Sequence, residues 1–463
     1  MIRLKKFPDT LLILLVILGI FILLTWILPA GEFERSDLGG RTVVVPGTYS
    51  RVEQQPQGIG DFLMAPILGF VSAAQIIAFV FMVGGAFSIL ARTGAIDAGL
   101  QAIVKTGQQY PGRKKWIIPV LVALFSLAGA TFGMSEEVLV FVLITIPLSL
   151  ALGYDSIVGV SISFVGAGTG FAGAFINPFT IGIAQGIAEL PPFSGIEYRM
   201  VVWAVLTLVS ILFLLRYARR IEKDPRRSPV YELDRQRNLA AFDSANHLAL
   251  TLRRKLTIGL LFVALAVLVI GVSRWDWYID EITGLFIAMG ILAAIFGGLS
   301  AEKAVAAFQE GAREMMLPAL VIALAKGLIV VASEGKIIDT LLNSVASAAS
   351  DLPPFLSAEI MFVVQSFLNF FVPSGSGQAA LTMPIMAPLS DLLGISRQVA
   401  VLAFQFGDGL SNLVIPTSGV TMGVLAIAKI QYDVWLKWML PLFILLSLVA
   451  MLLLALPVLF FNW

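Results

Sequence analysis

GATFGMSEE (129–137) and VPSGSGQ (372–378) decide the fold, because each interrupts a stretch otherwise apolar enough to lie in a bilayer. A carboxylate or a glycine-rich break at membrane depth is costly. Every freed N–H and C=O, and every charge, must be satisfied there without bulk water. Two such interruptions at matching places in two halves of a chain are the pattern of a solute and ion site built from discontinuous helices.

The surroundings agree. The 463 residues are 58% hydrophobic and 13% charged, with mean hydropathy +0.92, against about 25% charged in soluble domains. The composition is that of a polytopic membrane protein with the lipid bilayer as its partner. A formal net charge of +1 argues against nucleic acid. Cysteine is absent, which excludes disulfides and thiol chemistry. The single histidine, His247, lies in a charged loop, so the spans lack the usual proton shuttle and metal ligand. The first apolar segment, 10–28, follows Arg3, Lys5 and Lys6. It is long and many others follow, so it reads as a retained anchor helix rather than a cleaved signal.

A span needs about 20 apolar residues. The first half (1–215) reads as span 10–28, a polar β-prone loop 29–60, span 62–90 and an amphipathic stretch 96–105. A re-entrant hairpin 116–153 follows, then a broken helix 157–188 interrupted by GAGTG and by Asn177-Pro178, and span 201–215. The linker 216–255 holds eleven of the 31 Lys and Arg, so it and the N-terminus are expected in the cytoplasm. It contains no metal or glycine-rich motif and reads as a hydrated tether. The second half (256–463) gives spans 256–272, 282–299 and 317–332, with amphipathic 301–313 before the last of these. Hairpin 355–393, broken helix 398–428 and span 438–461 complete it. The expectation is an all-α polytopic membrane protein with about nine transmembrane helices, two opposed re-entrant hairpins and two broken helices.

The halves align at a constant shift of 241 (388 − 147). Pro147-Leu148-Ser149 matches Pro388-Leu389-Ser390, Gly153 matches Gly394, Ser135 matches Ser376, Gly94 matches Gly335 and Gly166 matches Gly407. Hairpin two is preceded by three spans in its half and hairpin one by two, so the hairpins enter from opposite sides. The result is an inverted repeat, which supports alternating access by exchange of two related conformations. It places the C-terminus outside.

The breaks carry the chemistry. Gly129, Gly133 and Ser135 let hairpin one turn, and Glu136 and Glu137 follow where the return helix begins. A capping acid is the bland reading. Two adjacent acids exceed that need and suit a proton or sodium site, or a counter-charge for a substrate amine. In hairpin two, Pro373 stops the entering helix, and Ser374, Ser376 and Gln378 offer oxygens for a cation or carboxylate. Asn177, Pro178 and Thr180 interrupt the first broken helix; Asp408, Gly409, Ser411, Asn412, Pro416, Thr417, Ser418 and Gly419 interrupt the second. Freed carbonyls there are hard ligands for sodium, and half-helix N-termini attract an anion. Candidate sodium ligands are Gly133, Ser135, Asn177, Ser376, Ser411 and Asn412. Lys326 pairs with Asp408, snorkels, or binds a substrate carboxylate. Trp275, Trp277, Trp435 and Trp438 read as interfacial anchors.

GGAFSILARTGAIDAG (84–99), ATFGMSEE, NPFTIGIAQGIAELPPFSG (177–195) and VPSGSGQAALTMPIMAPLSDLLGISRQVAVLAFQFGDGLSN (372–412) resemble the YfcC-like branch of the four-carbon dicarboxylate anaerobic carrier family across essentially the whole chain. The resemblance implies a homodimeric secondary carrier of the prokaryotic cytoplasmic membrane. Each subunit would have a scaffold part and a mobile transport part, holding the hairpins and broken helices, that moves as an elevator. Implied substrates range over dicarboxylates, short-chain carboxylates, aromatic conjugates and basic amino acids. Dicarboxylate carriers of the wider superfamily have Ser-Asn-Thr at both hairpin tips, whereas here the tips read Ser-Glu-Glu and Ser-Gly-Gln.

The expected function is secondary transport of a small carboxylate-bearing metabolite, with no cofactor beyond sodium or protons as coupling ions. Three acids (Glu136, Glu137 and Asp408) against one lysine favour an amino acid, a basic one included, over a sodium-coupled dicarboxylate. A passive channel would carry repeated pore rings instead. An intramembrane enzyme would have only Ser374 or Ser376 with Lys326 as a nucleophile system.

Overall fold

The computed structural model describes residues 10–463 except 38–41, 46, 97, 100–110, 192, 243–248, 276, 278, 349–352 and 462. His247, Lys105 and most of the 96–105 stretch lie outside the described residues. The protein is all-α apart from two short antiparallel ribbons in the first polar loop, Gly31–Glu32 with Ser50–Arg51 and Arg35–Asp37 with Thr42–Val44. Among the described residues, five helical stretches are long and apolar enough to cross a membrane: Ala74–Arg92, Ile196–Lys223, Ile279–Gly297, Ala301–Glu334 and Tyr432–Phe460. Shorter apolar stretches lie at Leu14–Ile27, at Ile59–Ser72, in hairpin one and in the broken helices, and helix Leu252–Arg274 has 23 residues.

Local chemistry sets where helices begin. Asp155 caps the helix at Ser156 by accepting from the Val158 N–H (2.9 Å), and Ser396 and Ser418 cap the two halves of the second broken helix. Gly153 (φ +80°) and Gly394 (φ +67°) end the return helices of the two hairpins in the left-handed conformation that glycine adopts without a Cβ penalty.

Hairpin one is Pro111–Phe132 and Val138–Ala151; hairpin two is Pro354–Asn369 and Gly375–Leu392. They enter from opposite faces. The base of hairpin one lies at the linker, where Asp155 accepts from Tyr217 (2.5 Å) and Ser228 (2.7 Å). The base of hairpin two lies at the face that carries the ribboned loop. There Asp339, on helix Ile338–Ala348 just before hairpin two, accepts from the Phe33 N–H (2.9 Å) and pairs with Arg35 (3.0 Å).

Four sequence expectations need correction. Segment 62–90 is not one span but two helices, Ile59–Ser72 and Ala74–Arg92, meeting at Ala73. The first packs backbone to backbone on Met316–Glu334: a Cβ on Gly69 would stand 2.1 Å from the Ala323 carbonyl oxygen. GAGTG is not a break. It is helical (Gly166–Ala172), and its small residues let hairpin one approach, a Cβ on Gly170 landing 1.8 Å from the Ser126 carbonyl oxygen. Helix Ile338–Ala348 was not anticipated. It has no long apolar run, only an amphipathic face.

The fourth correction concerns the linker, which is docked over 216–242 rather than a hydrated tether. Helix Tyr231–Phe242 places Asp234, almost wholly buried, where it accepts from the Ser156 N–H (2.8 Å). Arg237 on the same helix donates to the Ala428 carbonyl. Burial pushes the Asp155 carboxyl up from the ordinary aspartate range, against the bonds donated by Tyr217, Ser228 and Val158. Charge-assisted bonds to a buried carboxylate contribute about 1.5–3 kcal/mol each. Asp234→Ala should therefore speed tryptic cleavage at Arg235 or Arg237 in the solubilised protein by roughly tenfold or more. Equal cleavage rates in variant and parent would show that the linker is not held by this contact.

Candidate functional site

The first broken helix runs through Ser156–Val160, a π-helical turn Ser161–Val165 and Gly166–Ala172. It stops, and resumes as a second π-helical turn, Pro178–Gly182, and Ile183–Ile187. π-turns of this kind are frequent at functional sites. The second broken helix is Arg397–Ser411, an irregular stretch 412–418, and Gly419–Ala428. Asp408, Gly409 and Ser411 therefore belong to the last helical turn, and Gly419 to the resumed helix, not to the interruption. The two broken helices touch where Gly409 meets Ala172, with a Cβ on Gly409 only 2.5 Å from the Ala172 Cα. That approach sets both breaks, and both hairpin tips, around one cavity of about 230 Å³.

Gly133, Ser135, Glu136 and Glu137 from tip one line the cavity, with Thr180 from the first break, Ser374 and Ser376 from tip two, Asn412 from the second break, and Lys326. Asn177, Gln378, Asp408, Ser411 and Thr417 are buried behind that lining. Asn177 Oδ1 accepts from the Phe179 N–H (2.9 Å) and its Nδ2 has no partner. Gln378 turns its amide to Gln365, donating to the Gln365 carbonyl (2.8 Å) and side-chain oxygen (2.7 Å). Ser411 accepts from Asn369 (2.7 Å) and donates to the Gly407 carbonyl (2.5 Å).

The acids differ in their settings. Glu137 sits at the start of Val138–Ala151, yet its carboxylate bonds no amide of that helix. It accepts from the Ser135 N–H (3.0 Å) and so folds the tip on itself. Glu136 is partly exposed to the cavity. Asp408 is fully buried: Oδ1 accepts from Asn412 (2.9 Å), while Oδ2 is unpartnered and lies 3.0 Å from where a Cβ on Gly375 would stand. The Thr180 methyl lies 2.6 Å from that same point, and the Thr180 and Thr417 hydroxyls are likewise buried without partners. Among the described residues, Lys326 forms no ion pair within 4.0 Å, with Asp408 or any other acid. Orphaned buried oxygens are rare and costly unless a cation or water completes them. The set is one of hard oxygens, suited to sodium or to a donor group on a solute.

Aromatic lining went unrecognised in the sequence. Phe164, Phe171, Phe179 and Trp277 all face the cavity. Trp277 thus also forms part of the cavity wall, and Trp435 is wholly buried rather than an anchor, donating to the Leu413 carbonyl (2.9 Å). A tryptophan between two spans gives no local signal that separates a lipid anchor from a cavity wall.

The sequence profile of the C4-dicarboxylate anaerobic carrier family, DcuC, matches residues 7–459. The chain belongs to this family. It is 38% identical to the Escherichia coli (strain K12) protein named "Putative basic amino acid antiporter YfcC", over 93% of this chain and 92% of that one. It is 32% identical to a Haemophilus influenzae (strain ATCC 51907 / DSM 11121 / KW20 / Rd) protein, over 98% and 97%. The solved YdaH transporter of Alcanivorax borkumensis aligns over 97% of this chain and 98% of that one, at 17% identity and a TM-score of 0.43. As a DcuC-family protein with several apolar helices, the chain is a multi-pass membrane transporter.

Gly133 tests the tip geometry. Its φ is +72° and a Cβ would stand 2.7 Å from the Asn177 amide, whereas Gly153, at φ +80°, has open space. Alanine at either costs ~1–2 kcal/mol of left-handed strain. Gly133→Ala should in addition displace Asn177 and cut uptake by about tenfold, with Gly153→Ala near parental rates. Equal uptake in the two variants would remove the tip–break contact from the transport pathway.

Proposed function

We propose that this protein is a secondary active carrier of the cytoplasmic membrane for a small carboxylate-bearing metabolite. An amino acid is the first choice, with a basic one favoured, moved by elevator-type alternating access. One observation carries this reading. Three carboxylates, Glu136, Glu137 and Asp408, gather at the meeting point of the two tips and breaks, with Lys326 the lysine among them. Uncompensated acids in a water-poor site are expensive. A cationic solute offsets that cost, and a dicarboxylate adds to it. The name of the Escherichia coli relative accords with this chemistry.

In this reading Lys326 and the Ser374–Ser376 tip take the substrate carboxylate, Glu136 faces its amine, and Asp408 adds negative charge from behind the wall. The cavity suits a solute of small-metabolite size, and its aromatic walls suit an aliphatic stem. Tips entering from opposite faces let the same residues be exposed to either side in turn. Coupling is by exchange, sodium or protons. The basic linker is assigned to the cytoplasm and the C-terminus to the outside, and the working unit is a homodimer by family resemblance.

The second reading, a sodium-coupled dicarboxylate carrier, is favoured by the unpartnered oxygens of Thr180, Asp408 and Thr417 and by the family's name. Proteoliposomes separate the two. Vesicles loaded with arginine should accumulate labelled arginine or lysine by counterflow, without a sodium gradient. Glu137→Gln and Asp408→Asn should each lower that flux by about a hundredfold (~2.7 kcal/mol) with unchanged elution on gel filtration. Sodium-dependent fumarate uptake with no arginine counterflow would establish the second reading. Parental rates in both variants would remove the roles assigned to these acids.

A further inference from the structure

A second group of polar side chains lies away from the central cavity, at the face opposite the linker. Arg199 is fully buried near the start of helix Ile196–Lys223. Its Nη2 donates to Gln398 Oε1 (3.2 Å), while Nε and Nη1 have no partner. The ring of Trp463 lies 5.1 Å from the guanidinium carbon, and the buried Trp463 Nε1 is also unpartnered. No carboxylate of any described residue comes within 4.0 Å of Arg199.

The neighbours cannot absorb these donors. Gln398 Oε1 already accepts from both Arg199 and Gln185 Nε2 (3.2 Å). Gln185 Oε1 accepts from the Phe193 N–H (2.6 Å). The Ser194 hydroxyl accepts from Gln398 Nε2 (2.6 Å) and donates to the Pro191 carbonyl (2.7 Å). Three donor nitrogens are left, two of them on a permanent cation, with no acceptor and no counter-charge. A buried charge without a partner is strongly destabilising, and guanidinium does not shed its proton as a lysine would.

We propose that Arg199 and Trp463 form a binding site for a small monovalent inorganic anion, of which chloride is the commonest. The anion accepts from Arg199 Nε and Nη1 and from Trp463 Nε1 and cancels the buried charge. A single negative charge neutralises the Arg199 guanidinium; a divalent anion reverses the imbalance. Bound there, the anion ties the first turn of helix Ile196–Lys223 through Gln398 to the start of the second broken helix. Its role is to stabilise the transporter, and it is independent of what the central cavity carries.

The test uses the full-length protein in detergent, with sodium chloride replacing sodium gluconate at constant ionic strength. The unfolding temperature should rise saturably with chloride by several degrees in the parent and stay flat in Arg199→Gln. Trp463→Phe keeps the ring and removes one donor, so its half-saturating chloride concentration should rise about tenfold. If Arg199→Gln does not fold, Trp463→Phe and bromide-grown crystals of the parent decide the matter, the latter through an anomalous peak beside Arg199 and the Trp463 indole. Identical unfolding temperatures in chloride and gluconate, with no bromide peak, would assign the space to water and overturn the proposal.

Discussion

The close crossing of the two broken helices, Gly409 against Ala172, is the contact on which the rest depends. An interrupted helix in an apolar layer leaves backbone groups without partners, and no solvent is present to take them. Here each break is satisfied largely by its neighbours. The Ala130 carbonyl of hairpin one accepts from the Phe175 and Ile176 N–H groups, and Asn369 of hairpin two donates to the Asp408 carbonyl (3.1 Å). Such bonds form only if the helices approach at backbone distance. Glycines at 129, 170, 407 and 409 make that approach sterically available. What remains unsatisfied after this pairing is mostly oxygen, and it lies in or just behind the cavity walls.

Much of this was legible in the chain, for a local reason. A proline, a glycine pair or a carboxylate inside an apolar run conflicts with a continuous span, and the conflict is visible in a window of a few residues. That is why the tips at 129–137 and 372–378 and the break at 177–178 could be read directly, and why the second break could be found but reads too wide, from Asp408 to Gly419 instead of 412–418. The split at Ala73 could not, because no proline or glycine stands at the junction itself. GAGTG misled in the opposite direction: glycines that signal a turn in water can signal tight helix packing in a bilayer.

The internal repeat shows where a matched sequence stops fixing conformation. Gly153 and Gly394 align and both adopt positive φ. Gly94 and Gly335 also align, yet only Gly94 does; in the second half the left-handed residue is Lys336, one position later. Lys336 is held there by its pairing with Glu32 (3.2 Å), and its carbonyl accepts from the Gly31 N–H (3.0 Å). Those partners come from the ribboned loop, which has no counterpart among the described residues of the second half. Long-range partners of this kind explain the other silent features. Asp155 and Asp234 look like ordinary loop and helix acids until Ser228 and Ser156 are placed beside them.

The docked linker bears on how the halves share a load. Helix Tyr231–Phe242 holds the Ser156 amide through Asp234 and the Ala428 carbonyl through Arg237, one grip on the opening turn of the first broken helix and one on the closing turn of the second. Two segments some 270 positions apart (428 − 156 = 272) are thereby clamped by a single strut. The connecting peptide is thus a tie-rod between the two broken helices.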